Sequence, residues 1–179
     1  MINEAAFVAF GANLPGPAGS PLDTFRAAAA LLARRGVHFT EASSVYASDP
    51  WGGIRQPVFL NGVWEIRTVL SPHRLMVTLL DVERQLGRRR RVRWGPRVID
   101  LDLLAFGARS GSWQSGAAGR GAMVDLELPH PRMGDRAFVL LPLAEIAPMF
   151  KPWGDEHCTV SQMAEKLPIR ERFTIRRQG

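Results

Sequence analysis

Apolar and polar positions along the chain repeat with two different periods, which predicts a mixture of strands and helices. Mainly apolar stretches at residues 5–10, 37–47 and 58–70 have the composition of strands. Residues 20–36 and 71–87 instead carry apolar positions three or four apart, as expected of helices that bury one face. Each of these helices begins with Ser-Pro, a side-chain cap followed by a first-turn proline, and ends at a glycine.

The order of these elements predicts the fold class. A further strand follows the Gly95-Pro96 turn, so the order is strand–helix–strand–strand–helix–strand. This order is typical of an α+β fold with a ferredoxin-like βαββαβ core, an antiparallel sheet with helices packed on it. Because no internal repeat or long linker divides the sequence, we expect residues 1–179 to form a single domain. Residues 108–121, rich in Gly, Ser and Ala, are expected to be a flexible excursion, and residues 161–167 a short helix.

Two carboxylates share one face of the strand that follows the turn. Side chains alternate across a strand, so Asp100 and Asp102 point one way while Ile99, Leu101 and Leu103 point the other. Adjacent carboxylates repel each other unless a positive charge lies near them. Magnesium commonly binds one or two carboxylates together with substrate phosphates, and the pair is therefore a candidate magnesium site.

Arginines crowd the segment immediately before the carboxylates. Residues 88–97 read Arg-Arg-Arg-Arg-Val-Arg-Trp-Gly-Pro-Arg. The guanidinium group is planar and permanently charged, and its fork of donors matches phosphate oxygens. A Walker-type loop is absent from the sequence, so arginines and a metal would have to hold any nucleotide phosphates. Acids that can hold a metal beside arginines that can hold phosphate are the layout expected of a magnesium–nucleotide enzyme.

Composition restricts the setting more than the activity. The formal net charge of +6 is compatible with nucleic acid or with a polyanionic small molecule as partner. The sequence contains no apolar run of membrane-spanning length and no signal-peptide pattern. The single cysteine cannot form an internal disulfide, which fits a reducing environment. We therefore expect a cytoplasmic protein with no membrane partner.

The segment Arg93-Trp94-Gly95-Pro96-Arg97-Val98-Ile99-Asp100-Leu101-Asp102-Leu103-Leu104 resembles the signature of the hydroxymethyldihydropterin pyrophosphokinases of folate biosynthesis. Further blocks that resemble this family follow in family order, at residues 10–13, 46–52, 56–61, 83–88, 129–133 and 136–140. The resemblance covers most of the chain. The sequence departs from the family pattern at Ala12, where serine is more usual, and at Asp49, where proline is common. The excursion before His130 is also longer than usual, and the arginine loop is about a residue shorter.

The resemblance implies a reaction and a set of residues for it. The reaction is transfer of pyrophosphate from ATP to 6-hydroxymethyl-7,8-dihydropterin with release of AMP, with two Mg²⁺ ions on Asp100 and Asp102. Arg88 and Arg97 would be catalytic, stabilising charge on the transferring group. The residues implied for pterin binding are Ser48, Pro50, Trp51, Phe59, Asn61 and Phe138. Those implied for ATP binding are Arg88, Arg90, Arg93, Trp94, Arg97, His130, Arg132 and Arg136.

These implied roles make physical sense. Phe59 and Phe138 could stack on the two sides of a flat pterin ring. The amide of Asn61 offers a donor and an acceptor to the amidine–carbonyl edge of the ring. We expect a monomer that acts on ATP and a reduced pterin alcohol and that has no nucleic-acid partner.

Two alternative functions are compatible with parts of the sequence. A basic ferredoxin-like sheet with exposed aromatic residues could be an RNA-binding module, but the sequence lacks the Lys/Arg-Gly-Phe-x-Phe strand motif, and paired aspartates repel a nucleic-acid backbone. A metal-dependent phosphohydrolase could use the same two aspartates with water as the nucleophile. Analysis of the products formed from ATP and the reduced pterin separates all three functions.

Overall fold

A computed structural model describes residues 4–50, 55–89, 95–113 and 125–178. The strands are β1 (Glu4–Ala12), β2 (Val37–Ala42), β3 (Tyr46–Ser48), β4 (Phe59–Thr68), β5 (Asp100–Phe106), β6 (Gly111–Trp113), β7 (Leu126–Leu128) and β8 (Ile175–Arg177). The helices are α1 (Pro21–Ala33), α2 (Pro72–Gln85), α3 (Ala137–Ile146), α4 (Val160–Lys166) and α5 (Ile169–Phe173), with a 3₁₀ turn at Met133–Asp135. Within these ranges no helix is both long and apolar enough to cross a membrane.

The main sheet has the strand order β5-β1-β4-β3-β8, and β2 also pairs with β4. The pairs among these strands are antiparallel. The helix α1 connects β1 to β2, and α2 connects β4 to β5. The predicted ferredoxin-like βαββαβ core is therefore confirmed. The strand β5 stands at the end of this order, which leaves one of its sides for contacts from loops and helices.

Helices cover both faces of the sheet. On one face, alternate residues of β1 such as Val8 and Phe10 pack against Phe25 of α1 and Leu79 of α2. The other face of β1, represented by Phe7, packs with residues of α3 and α4. The two predicted helices begin as expected, since Ser20 and Ser71 each accept a backbone N–H three residues later. Both apolar stripes are buried.

The structure corrects the strand predicted at residues 37–47. This stretch forms two strands, β2 and β3, which pair with opposite halves of β4. Between them Ser43 pairs with Val63 in a different way: its backbone N–H donates to Val63 O at 2.9 Å, and its hydroxyl accepts the Val63 N–H at 2.9 Å. Because a side chain replaces a backbone carbonyl in this pair, the regular ladder is interrupted there.

A later segment also differs from the prediction. Within the expected excursion, Gly111–Trp113 forms β6, which pairs with β7, while residues 114–124 lie outside the described residues. The apolar residues 138–143 lie within the helix α3, and Pro142 is inside that helix. The predicted C-terminal helix is confirmed as α4.

Gly62 provides a test of core packing. A Cβ atom built at this position would lie 2.2 Å from Phe10 Cζ, and the Phe10 ring is held by stacking on Trp64 with 4.3 Å between centroids. We expect Gly62→Ala to lower the free energy of unfolding by about 1–3 kcal/mol, because the added methyl group overpacks the core. Urea denaturation measures the change. At Gly36, where no atom lies within 4 Å and φ is +80°, Gly36→Asn should change stability little; equal losses in both variants would contradict the packing argument.

Candidate functional site

The register of the sheet brings two groups of predicted site residues to the same end of β1. Gly11 lies opposite Asn61 of β4 on one side and opposite Asp100 of β5 on the other. A Cβ atom at Gly11 would lie 2.9 Å from Asn61 Oδ1, so the absence of a side chain lets the amide lie across the strand. The residues predicted for the pterin and those predicted for the metal are therefore separated by a single strand.

Asp100 and Asp102 share one face of β5, as predicted, while Ile99, Leu101 and Leu103 are buried. Arg88 Nη1 donates to Asp100 Oδ1, and Arg97 Nη1 donates to Asp100 Oδ2. Both carboxylate oxygens of Asp100 are thus bound to guanidinium groups from separate segments.

Asp102 has a different environment. Among the described residues it forms an ion pair with Arg136, whose Nη1 lies 3.6 Å from Asp102 Oδ2. Desolvation and the neighbouring charge of Asp100 raise the pKa of Asp102 to about 6, against the opposing effect of Arg136. About 35% of the side-chain surface nevertheless remains open to solvent, so a ligand can reach this carboxylate.

The donor set fits a hard divalent cation. The two carboxylates supply oxygen ligands, and both causes of the raised pKa of Asp102, desolvation first and the charge of Asp100 second, disfavour its charged form, which a cation would stabilise. Among the described residues, no group of three or more His, Cys, Asp or Glu side chains is arranged to hold a metal. A cation here would therefore take two carboxylates from the protein and other oxygens from substrate phosphates and water, as magnesium commonly does.

Glu83 is an acid of this site that the sequence prediction missed. Its side chain is 3% exposed and accepts both from Arg88 Nη1 and from the backbone N–H of Leu101, the latter at 2.6 Å. Leu101 lies between the two aspartates, so Glu83 of α2 satisfies a backbone donor on the strand that presents them. Burial raises the pKa of Glu83 to about 7, although Arg88 opposes the shift. The sequence did carry a signal, because Glu83 lies four residues after Leu79 on the apolar stripe of α2.

The residues predicted for pterin binding cluster near the junction of β3 and β4. Ser48 and Asn61 are buried, and Asn61 Nδ2 donates to Ser48 Oγ at 2.8 Å. Ser48, Phe138 and Arg136 line a cavity of about 30 Å³. Pro50 is half-buried at the end of a described range.

The two predicted stacking rings both lie near arginines of the site. The guanidinium carbon of Arg97 is 5.7 Å from the centroid of the Phe59 ring, and that of Arg136 is 5.7 Å from the centroid of the Phe138 ring. At this distance each ring attracts a cation through its π face. The aromatic and cationic parts of the predicted site are therefore in contact rather than in separate regions.

A second, larger cavity has a volume of about 450 Å³. Predicted residues Asp102 and His130 line it, together with Met76, Trp113 and Glu127, which the prediction missed. Trp113 belongs to β6, and its isolated position in a Gly/Ser-rich stretch was the available signal. The volume is in the range of small-molecule pockets.

His130 is neutral in this setting. Burial and the charges of Arg136 and Arg132 lower the pKa of His130 to about 4. Its Nδ1 accepts the backbone N–H of Arg132 at 3.1 Å, which leaves Nε2 as the ring donor. His130 can therefore donate a hydrogen bond to a ligand without adding a positive charge. The Arg132 side chain is exposed.

Four of the predicted site residues, Trp51, Arg90, Arg93 and Trp94, lie outside the described residues. Ion pairs and ring contacts join the predicted residues Asp100, Asp102, Arg88, Arg97, Arg136, Phe59 and Phe138, and Asn61 lies one strand away from Asp100. What this arrangement can do chemically is to bind a cation with two acids, a polyanion with three arginines and a flat ring beside Asn61.

The chain is similar to a protein family and to several known proteins. A family model described as 7,8-dihydro-6-hydroxymethylpterin-pyrophosphokinase (HPPK) matches residues 7–148. The chain is 41% identical over 146 residues to the 2-amino-4-hydroxy-6-hydroxymethyldihydropteridine pyrophosphokinase of Bacillus subtilis, covering 81% of this chain and 79% of the relative. It is 42% identical over 140 residues to the protein of the same name from Methylorubrum extorquens, covering 76% and 78%.

Longer relatives match over only part of their length. The mitochondrial folate synthesis bifunctional protein of Pisum sativum is 34% identical over 147 residues, which are 80% of this chain and 25% of that protein. The solved structure of wild-type Plasmodium falciparum HPPK-DHPS with pteroate matches with a TM-score of 0.73 and 12% identity, covering 98% of this chain and 48% of that one. The chain thus spans about half the length of that solved bifunctional chain, and the structural likeness supports the fold.

The buried position of Glu83 generates a prediction about stability. We expect Glu83→Ala to lower the free energy of unfolding by roughly 2–4 kcal/mol, because the Leu101 N–H loses its acceptor and Arg88 loses one of two acids. Glu83→Gln should recover most of the loss, since it retains an acceptor without burying a charge. Arg26→Ala, which breaks an exposed ion pair with Asp23, should cost less than about 1 kcal/mol. Chemical denaturation compares the three variants, and a Glu83→Ala loss no larger than that of Arg26→Ala would contradict the assignment.

Proposed function

The chain belongs to the 7,8-dihydro-6-hydroxymethylpterin-pyrophosphokinase family, and from this premise we propose how its own residues perform the reaction. Pyrophosphate is transferred from ATP to 6-hydroxymethyl-7,8-dihydropterin, which gives AMP and the pterin diphosphate in folate biosynthesis. The observation that supports this most directly is the placement of an acid pair surrounded by arginines one strand away from Asn61.

Asp100 and Asp102 hold magnesium, and we propose two ions. The observation that supports this magnesium site is the pair of carboxylates on one face of β5. The side chain of Asp102 remains partly open to solvent. When bound, magnesium would neutralise triphosphate oxygens and orient them for in-line displacement. The pleat of β5 fixes the spacing of the two acids. The surrounding arginines lower the electrostatic repulsion between the two carboxylates.

Arg88, Arg97 and Arg136 bind the triphosphate. In the reaction the pterin hydroxyl oxygen forms a bond to the β-phosphorus and loses its proton to solvent, and the bond from that phosphorus to the oxygen bridging to the α-phosphorus breaks, so AMP leaves. Negative charge shifts onto the transferring group and the leaving oxygen as this happens. Guanidinium groups that already lie beside Asp100 and Asp102 can stabilise that charge.

The pterin binds where Asn61, Ser48, Phe59 and Phe138 converge. Asn61 is fixed by its bond to Ser48, so its amide presents a defined donor–acceptor edge. The two phenylalanine rings are half-buried and belong to different elements, β4 and α3, which suits them to hold a flat ring between them.

The nucleotide base occupies the cavity between Asp102 and Trp113. This cavity is lined by the proposed metal ligand Asp102 and has the volume for a purine and its sugar. His130 also lines it and offers a neutral donor. Trp113 and Met76 offer apolar contacts to the two faces of a base.

The two aspartates should respond differently to substitution. We expect the wild-type protein to convert ATP to AMP only when magnesium and the reduced pterin are present. Asp102→Asn should lower kcat by a factor on the order of 10²–10³. Its folding stability should be unchanged or raised, because one of two repelling charges is removed. Asp100→Asn should lower kcat and also lower stability by about 1–3 kcal/mol, because Arg88 and Arg97 lose a shared partner. Chromatography of the nucleotide products over a magnesium titration, with thermal unfolding of each variant, measures both effects. Release of ADP or phosphate, or unchanged turnover in Asp102→Asn, would contradict the assignment.

The contribution of Arg97 to kcat should depend on the planar shape of its guanidinium group. We expect Arg97→Ala to raise the barrier by roughly 2–4 kcal/mol, seen in kcat more than in ATP affinity, because the lost contact matters most as charge develops. Arg97→Lys should recover little of the loss, since a point charge does not reproduce a bidentate fork. The matched control is Arg34→Ala at the exposed end of α1, which should behave as wild type. Similar losses at Arg97 and Arg34 in steady-state kinetics would mean that the arginines contribute only a diffuse positive field.

A further inference from the structure

Asn13 is a buried amide directly after β1, and the roles described above do not use it. It is 5% exposed, and every polar atom of its side chain has a partner. Oδ1 accepts the backbone N–H of Arg97 at 2.8 Å. Nδ2 donates to Gln56 Oε1 at 3.1 Å and to the carbonyl oxygen of Pro57 at 3.0 Å. One side chain therefore joins two loops that are far apart in sequence.

The first of these loops carries Arg97. The backbone N–H of Arg97 donates to Asn13, and the backbone carbonyl of Arg97 accepts the N–H groups of Asn13 at 3.0 Å and Leu14 at 3.2 Å. Both sides of this residue's backbone are thus fixed to the end of β1. The Arg97 guanidinium extends from that fixed backbone to Asp100, so a displacement of Asn13 would be felt at the proposed metal and phosphate site.

The second loop leads into the proposed pterin site. Gln56 and Pro57 immediately precede β4, whose first residue is Phe59 and which also carries Asn61. Because Asn13 binds Gln56 and Pro57 by two hydrogen bonds, it fixes the direction in which the chain enters β4. The position of the Phe59 ring therefore depends on the same amide as the position of Arg97.

We propose that Asn13 is a positioning residue that couples nucleotide binding to pterin binding. The proposal rests on the proposed function. A ligand that contacts either loop favours the Asn13 orientation that the other loop also binds, so each ligand should strengthen binding of the other. The chemistry specifies asparagine: aspartate lacks the two donors, and glutamine is one methylene longer in a buried position.

A binding cycle tests the coupling without turnover. The Kd of 6-hydroxymethylpterin is measured by titration calorimetry in the absence of nucleotide and with saturating α,β-methylene-ATP and magnesium. The ratio of the two values is the coupling factor, and in the wild-type protein we expect it to be on the order of 5–150, the usual range for coupled sites. In Asn13→Ala and Asn13→Asp the factor should fall to unity, while the Kd for each ligand alone changes much less.

Asn13→Asp keeps the test open if Asn13→Ala does not fold, because it retains the acceptor for the Arg97 N–H and loses only the donors. The control is Thr68→Val at the opposite end of β4. Thr68 is 1% exposed, and its hydroxyl donates to Gly36 O at 3.1 Å and accepts the Leu70 N–H at 3.2 Å. This variant also loses buried hydrogen bonds, but it should keep the wild-type coupling factor.

The outcomes separate this inference from the proposed function. If the wild-type protein binds neither ligand, the proposed function fails. If it binds both but shows no coupling, or if the Asn13 variants keep the wild-type factor, the inference about Asn13 is overturned. Loss of coupling in Thr68→Val as well would overturn it too, since any weakening of the fold would then have the same effect.

Discussion

Repulsion between two carboxylates on the same face of β5 is the constraint on which the rest of the site depends. Asp100 is neutralised by Arg88, which follows α2, and by Arg97, which precedes β5. Asp102 faces Arg136 at the start of α3. Since the three cations come from three separate segments, placing two acids together requires the loop after α2, the turn before β5 and the first residues of α3 to meet. The charge requirement thus organises parts of the chain that the hydrophobic core alone would leave independent.

The sheet register then determines how far the acids lie from the proposed pterin site. Neighbouring strands are spaced about 4.8 Å apart, so β4 and β5, which flank β1, lie about 10 Å from each other. Asn61 and Asp100 are both opposite Gly11, and this is therefore the approximate separation of their backbones. Two substrates bound side by side on that face could bring a hydroxyl of one against a phosphate of the other. A side chain at Gly11 would displace the Asn61 amide, because an added Cβ atom would lie 2.9 Å from Asn61 Oδ1.

The elements that follow a simple period could be predicted from the sequence, and the departures have local causes. The alternation on β5 and the stripes on α1 and α2 each reflect one buried face, so the pattern was sufficient. Residues 37–47 were wrongly predicted as one strand because the Ser43 hydroxyl, in place of a backbone carbonyl, accepts the N–H of Val63. A side-chain hydrogen bond of this kind cannot be predicted from the pattern of apolar and polar residues. Glu83 was missed because a single acid on an apolar stripe indicates burial but does not identify its partners, Arg88 and the Leu101 N–H.

The different anchors of Arg88 and Arg97 suggest different availability to phosphate under the proposed function. Arg88 binds two acids, Glu83 and Asp100, and its side chain is only 14% exposed. If Asp100 turned toward a metal, Glu83 would still hold the Arg88 guanidinium, and this buried acid would limit its movement. Arg97 has its backbone fixed at both N–H and carbonyl, and its carboxylate partner in the ion pair is Asp100. Loss of that partner would free the Arg97 guanidinium while its backbone stayed in place. A guanidinium group whose backbone is fixed can bind a phosphate with little loss of conformational entropy. Arg97 is therefore better placed than Arg88 to stabilise the negative charge that develops on the transferring group.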